Sequence, residues 1–220
     1  MSGVSRRFWL AGMAGFIASC GGGDAQGIPH NNKPRANLYQ CEGCEGIYEA
    51  DLAVLGGHAR IGPAGEPGEA LRIVGKVLKS DGHSPAAGVV IYAYQTNAQG
   101  LYANGTNHSE WSRRHGRLRG WVKTGADGAY AFDTIKPAPY PRQTMPAHVH
   151  LTVLEPGRRP YWIDDVVFAG EFGVTDEYRG KMVDQGGNGI VRLSRATDGT
   201  LLARRDIVLE RHPHPAENSP

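Results

Sequence analysis

Gly120-Trp121-Val122-Lys123-Thr124-Gly125-Ala126-Asp127-Gly128-Ala129-Tyr130-Ala131-Phe132-Asp133-Thr134-Ile135 decides the fold class. Two short stretches rich in β-branched and aromatic residues flank Ala126-Asp127-Gly128, a turn signal, so we read 120–124 and 129–135 as the arms of a hairpin. The same punctuation recurs outward. Upstream, the apolar run 71–79 stops at Ser80-Asp81-Gly82, and 89–96 is a second run; downstream, 148–154, 161–168, 190–193 and 201–209 are four more. No long stretch keeps a 3.6-residue apolar period, and 31 glycines with 14 prolines break up any helix bundle. The expectation is an all-β protein, an antiparallel β-sandwich with long glycine-rich loops, over residues 71–212. Residues 36–70 read as an N-terminal extension of loops or a short helix draped over it, and 213–220 as a tail.

The start of the chain reads as an address. Ser5-Arg6-Arg7-Phe8-Trp9-Leu10 is a twin-arginine export pattern, and the apolar stretch after it is too short to span a bilayer. It ends Ile17-Ala18-Ser19-Cys20, which resembles a lipobox. We therefore expect residues 1–20 to be a twin-arginine lipoprotein signal lipidated at Cys20, and 21–35 a flexible tether. The protein would then stand in the cell envelope, anchored to the membrane and facing the periplasm or exterior. In such a compartment Cys41 and Cys44 read as a short-loop disulfide, because no second Cys-x-x-Cys or close His pair completes a zinc site. Net charge is only +2. The basic run Arg113, Arg114, Arg117 and Arg119 has no stacking ladder beside it, so it reads as a solvated loop and nucleic acid is not an expected partner. Nothing in the residues addresses oligomeric state.

Pro146-Ala147-His148-Val149-His150-Leu151 places two histidines two apart on a strand, so both side chains leave one face and can reach one ion. Taken alone, His-x-His serves a buried, hydrogen-bonded pair equally well. Pro139-Tyr140-Pro141 adds a phenol on a stiff extended segment, and Tyr94-Gln95-Thr96-Asn97-Ala98-Gln99-Gly100-Leu101-Tyr102 carries a strand through a glycine turn to another tyrosine.

The series 94–102, 126–137, Tyr140-Pro141 and 146–150 resembles the core of the intradiol ring-cleaving dioxygenases, most nearly their protocatechuate 3,4-dioxygenase branch, over roughly residues 71–170. The resemblance implies one Fe(III) held by Tyr102, Tyr140, His148 and His150, with Tyr140 the ligand that a substrate displaces. It also implies a catechol and O2 as substrates, cleaved between the two oxygenated carbons to a muconate-type diacid. Phenolate is a hard anionic ligand, and metal coordination removes a phenol proton that otherwise leaves only near pH 10, so the tyrosine pair suits ferric iron. A ferrous site of two histidines and a carboxylate, with Asp133 nearby in sequence, stays open on residue types. The chain departs from the family in three places. Met145 stands where an arginine precedes Pro-Ala-His, the span from Tyr140 to His148 is short, and Asp165 takes the place of a glutamine. Arg142 is the nearest replacement cation, and the short span implies an open site that tolerates bulky ring substituents. A non-catalytic envelope lipoprotein with a metal- or ligand-binding sandwich is the competing reading.

Overall fold

Eleven strands fall into two facing sheets in the computed structural model, which describes residues 33–106 and 109–213. The expected signal with Cys20, nearly all of the tether and most of the tail lie outside the described residues. In chain order the strands are β1 (His58–Arg60), β2 (Ala70–Leu78), β3 (Val90–Gln95), β4 (Arg119–Lys123), β5 (Ala129–Ile135), β6 (His148–Leu154), β7 (Tyr161–Phe168), β8 (Ile190–Val191), β9 (Leu193–Arg195), β10 (Leu201–Arg204) and β11 (Ile207–Val208). One sheet runs β1-β5-β2-β10-β9, with β11 also on β2, and the other runs β4-β3-β6-β7-β8. Two short helices, α1 (Glu110–His115) and α2 (Asp176–Lys181), sit in the connections. Among the described residues no helix is long and apolar enough to cross a membrane.

The strands form because alternate residues can be buried between the sheets. On β2, Leu71, Ile73 and Val77 point inward while Arg72 and Lys76 point out; Phe132 on β5 faces Ile91, Val149 and Leu151 across the core. Each such side chain contributes about 1.5–3 kcal/mol when fully buried. The sandwich is not purely antiparallel. β1 runs parallel to β5, β10 and β11 run parallel to β2, and β8 runs parallel to β7. Those partners come from distant parts of the chain, where no tight turn dictates direction. The final apolar run divides into β10 and β11 at Arg205-Asp206, where a Cβ on Gly75 would meet the Arg205 carbonyl oxygen at 1.9 Å. Only glycine fits that approach.

The expected hairpin is a corner between sheets. β4 pairs with β3, whereas β5 pairs with β2, and the turn at Gly125–Gly128 carries the chain from one layer to the other. Both arms bury their inward residues, Val122 on β4 and Phe132 on β5, in the same core, so they face each other rather than lie side by side. The extension expected over 36–70 is part of the body. Leu38 and Ile61 join the core, β1 edges the first sheet, and a 3-10 helix (Cys44–Glu49) seats Ile47 on Val90 and Tyr92 of the second sheet's outer face. The basic run is likewise not a solvated loop. It spans α1 and the start of β4, and Arg114, Arg117 and Arg119 pair with Glu42, Glu66 and Glu49.

Candidate metal centre

The outer face of the second sheet carries Tyr94 on β3 and His150 on β6 as direct cross-strand partners. Their rings stack at 4.5 Å, and His115 of α1 stacks on the other side of Tyr94 at 3.9 Å. Beside this stack, at the start of β6, four donor atoms converge. His148 Nε2 and His150 Nε2 lie 3.0 Å apart. The Tyr140 hydroxyl is 3.2 Å from His148 Nε2, the Tyr102 hydroxyl is 2.9 Å from His150 Nε2, and the two hydroxyls are 2.6 Å from each other.

Local backbone chemistry brings the tyrosines together. Asn97 Oδ1 accepts from the backbone N–H groups of Gln99 and Leu101, closing the loop that leads to Tyr102. Thr96 Oγ1 donates to the Ala138 carbonyl, and the Ala138 N–H donates to Asn97 O, so this loop is stitched to the Tyr140 segment. A Cβ on Gly100, at φ 76°, would stand 2.1 Å from Pro139 O. The left-handed backbone and the close approach both demand glycine there.

The histidines are oriented from behind. His148 Nδ1 is 2.7 Å from Pro146 O, an acceptor only, so Nδ1 carries the hydrogen and Nε2 faces the centre with its lone pair. His150 Nδ1 donates in the same way to Asp165 Oδ1 at 3.0 Å. Asp165 reaches this position through a bulge. Leu151 pairs with Ile163 but Val149 pairs with Val166, so β7 carries one extra residue opposite His150. Asp164 is buried, Asp165 regains the outer face, and the strand's alternation resumes with Val166 toward the core.

The donor set fits a cation. Two ring nitrogens that present lone pairs at 3.0 Å repel unless a proton or positive ion lies between them. Edges of 2.6–3.2 Å match donors about 2.0–2.1 Å from a common centre. Burial pushes the Tyr102 phenol well above its ordinary value and raises Tyr140 less far, so without an ion both are protonated. Burial holds His148 below its ordinary value, the neutral form that a ligand needs. Two phenolates with two imidazoles suit a hard trivalent ion such as iron(III). His148, His150 and Asp165 also form a candidate metal-holding group, but the contact of Asp165 is to the far nitrogen of His150. Asp133 takes no part: it pairs with Arg72 at 2.6 Å and His58 at 2.9 Å on the other sheet.

A cavity of about 400 Å³ adjoins the tetrad, walled by His150, Asp165, Tyr94, Trp162 and Tyr178, and by the turn that Cys41–Cys44 closes as a disulfide. Arg142 and Met145 lie instead on an adjoining cleft, which shares Tyr178, Lys181 and Met182 with the cavity. Sequence reasoning missed Trp162, Tyr178 and His115. The one signal for the bulge is Asp164-Asp165 interrupting an apolar alternation.

A β-sandwich presenting two phenols and two imidazoles to one point offers a candidate mononuclear metal centre. The family model described as Dioxygenase matches residues 47–185, and the chain belongs to the intradiol ring-cleavage dioxygenase family. Catechol 1,2-dioxygenase 2 of Acinetobacter lwoffii is 29% identical over 160 residues, 60% of this chain and 56% of that one. Catechol 1,2-dioxygenase 1 of the same organism is 35% identical over 125 residues, 49% of this chain and 39% of that one. The chain thus spans about half the length of the curated relatives it matches. These relatives are named for catechol, not for protocatechuate, the branch that the motif series resembles. Two solved structures share the fold. Catechol 1,2-dioxygenase from Pseudomonas arvilla C-1 gives a TM-score of 0.54 at 22% identity, covering 74% of this chain and 59% of that one. The dioxygenase domain of a carbohydrate-binding fusion from Streptomyces sp. SirexAA-E gives 0.53 at 24%, covering 69% and 86%.

Proposed function

We propose that the protein is an iron(III)-dependent intradiol dioxygenase that cleaves a catechol with O2 to a muconate-type diacid. The observation that carries this reading is the convergence of Tyr102, Tyr140, His148 and His150 at 2.6–3.2 Å. Iron(III), when bound, supplies the Lewis acid that draws electron density out of a chelated catecholate. The residues do the rest. Tyr102 and the two imidazoles would hold the metal. As the family resemblance implies, Tyr140 would be the ligand that yields to the substrate, its phenolate oxygen accepting one of the catechol's two protons while the other passes to solvent. Asp165 keeps the hydrogen on His150 Nδ1, which would keep the other ring nitrogen aimed at the metal. Arg142, two residues beyond Tyr140, is the cation we assign to the mouth in place of the arginine that Met145 replaces.

We also propose that the protein is exported and anchored to the membrane through Cys20, on the strength of the twin-arginine and lipobox patterns. A mononuclear centre predicts one iron per chain and a visible phenolate-to-iron band. In Tyr140→Phe the band should shift and oxygen uptake on catechol should fall at least about a hundredfold, as when a proton acceptor in the reaction is removed. An unchanged spectrum in that variant would reject the ligand assignment, and colour without oxygen uptake in the wild type would favour a binding protein.

A further inference from the structure

The cavity, which meets the tetrad at His150, is larger than one catechol ring requires. Its volume of about 400 Å³ lies in the range that holds drug-sized ligands. From His150 it extends along the outer face of the second sheet to Thr152 and its cross-strand partner Trp162. Two residues of strand separate His150 from Thr152, roughly 7 Å. Trp162 therefore stands one residue pair further along the sheet than His150, on the neighbouring strand. Opposite it, Cys44 Sγ lies 3.8 Å from Thr152 Oγ1, so the disulfide-closed turn roofs the same space.

Trp162 and Val183 give the far end apolar surface, and the walls carry more acidic groups than basic ones. Trp162 keeps 37% of its surface exposed on the outer face of β7, opposite Thr152 of β6. Seven large apolar side chains are exposed among the described residues; three of them line the cavity or the adjoining cleft, and two more are chain neighbours of residues near the tetrad. Trp162 and Val183 line the cavity, Leu101 precedes Tyr102, and Met145 lies on the adjoining cleft. Phe172 is next to Gly173, which abuts Thr144 and Pro146. Exposed apolar groups gathered in one place mark a binding surface rather than chance. Glu42, Asp164 and Asp165 on the walls outnumber Lys181, the one cation among the described lining residues, and Arg142 lines the other cleft. A carboxylated substituent would thus lose its hydration and meet carboxylates.

We infer that this extension is a subsite for the ring substituent of the substrate, and that the preferred substrate is a catechol bearing a second, uncharged ring that packs on Trp162. The inference rests on the ring-cleavage reading and is tested separately from it. Oxygen uptake should give a kcat/KM for 4-phenylcatechol about tenfold or more above that for catechol, and 3,4-dihydroxybenzoate should fall below both. Trp162→Ala should reduce the phenyl preference about tenfold, and Trp162→Phe should restore most of it. Biphenyl, which cannot chelate a metal, should bind the wild-type protein in calorimetry and bind Trp162→Ala at least about fivefold more weakly. Catechol cleavage without a phenyl preference, and without biphenyl binding, overturns the subsite and leaves the ring-cleavage reading intact. Biphenyl binding that depends on Trp162, in a protein that cleaves no catechol, supports the subsite and overturns that reading. A preference for the carboxylated ring overturns the subsite outright.

Discussion

Asp165 shows how much one carboxylate does without touching the reaction. Its Oδ1 lies 3.0 Å from His150 Nδ1, which fixes both the tautomer and the direction of the ring. Groups placed in this way typically account for 10- to 100-fold in metal affinity. Asp165→Ala should therefore lose iron about 10- to 100-fold more readily to a chelator, and Asp165→Asn, which keeps an acceptor oxygen, should lose less. Equal retention by wild type and Asp165→Ala in a chelator titration would show that the contact is incidental. The residue also marks a boundary of what sequence can tell. His148 and His150 are legible as a pair because strand alternation alone puts them on one face. Asp165 is not, because regular alternation from Tyr161 and Ile163 would turn it toward the core. Only the extra residue at Asp164 sends it to the outer face. Tyr102 and Tyr140 became legible through resemblance. Their meeting depends on contacts between two irregular loops, which no periodic signal encodes.

Among the elements, α1 and the strands beneath it form one aromatic layer that the alternation of single strands does not reveal. His115 closes α1, hydrogen-bonds the Tyr92 hydroxyl through Nδ1 at 2.8 Å, and stacks on Tyr94. Only 6% of it is exposed, and burial pushes its pKa down to about 4. The unfolded chain takes up the proton first, near pH 6.5, and the folded chain follows only near pH 4. Stability from the neutral ring is therefore fully present above pH 6.5 and is lost as the pH falls toward about 4. The total is a few kcal/mol at most. Urea midpoints measured at intervals from pH 7 to about 4 should fall steadily in the wild type, and part of that slope should vanish in His115→Gln. A slope identical in both would place the acid sensitivity elsewhere. The corner at Gly125–Gly128 belongs to this scale as well. Its local residues suit a hairpin, and only the competition of β2 for β5 and of β3 for β4 turns the arms apart.

Over the whole molecule, the sandwich is secured at the first residues of its described part. Arg35 donates from its backbone to the Arg211 carbonyl and pairs with Glu210 at 3.2 Å, while Leu38 is fully buried in the core. The Tyr39 hydroxyl lies 2.6 Å from His212 Nδ1, and the other nitrogen of His212 lies 2.9 Å from Glu155. The chain is thus fastened from Arg35 onward by both ends of its described part. If Cys20 is the lipidation site, its loss should change where the protein resides and leave what it does unaltered. A single acyl chain holds a protein to a bilayer only marginally, so a stable membrane fraction implies the multiply acylated anchor of a lipoprotein. Fractionation should find the wild type with membranes and Cys20→Ala in the soluble periplasmic fraction. The released variant should carry the same iron content, the same visible band and the same oxygen uptake on catechol. A wild-type protein already soluble and without an acyl group removes the anchor. A released variant with altered iron content would mean that the segment before Arg35 supports the fold after all.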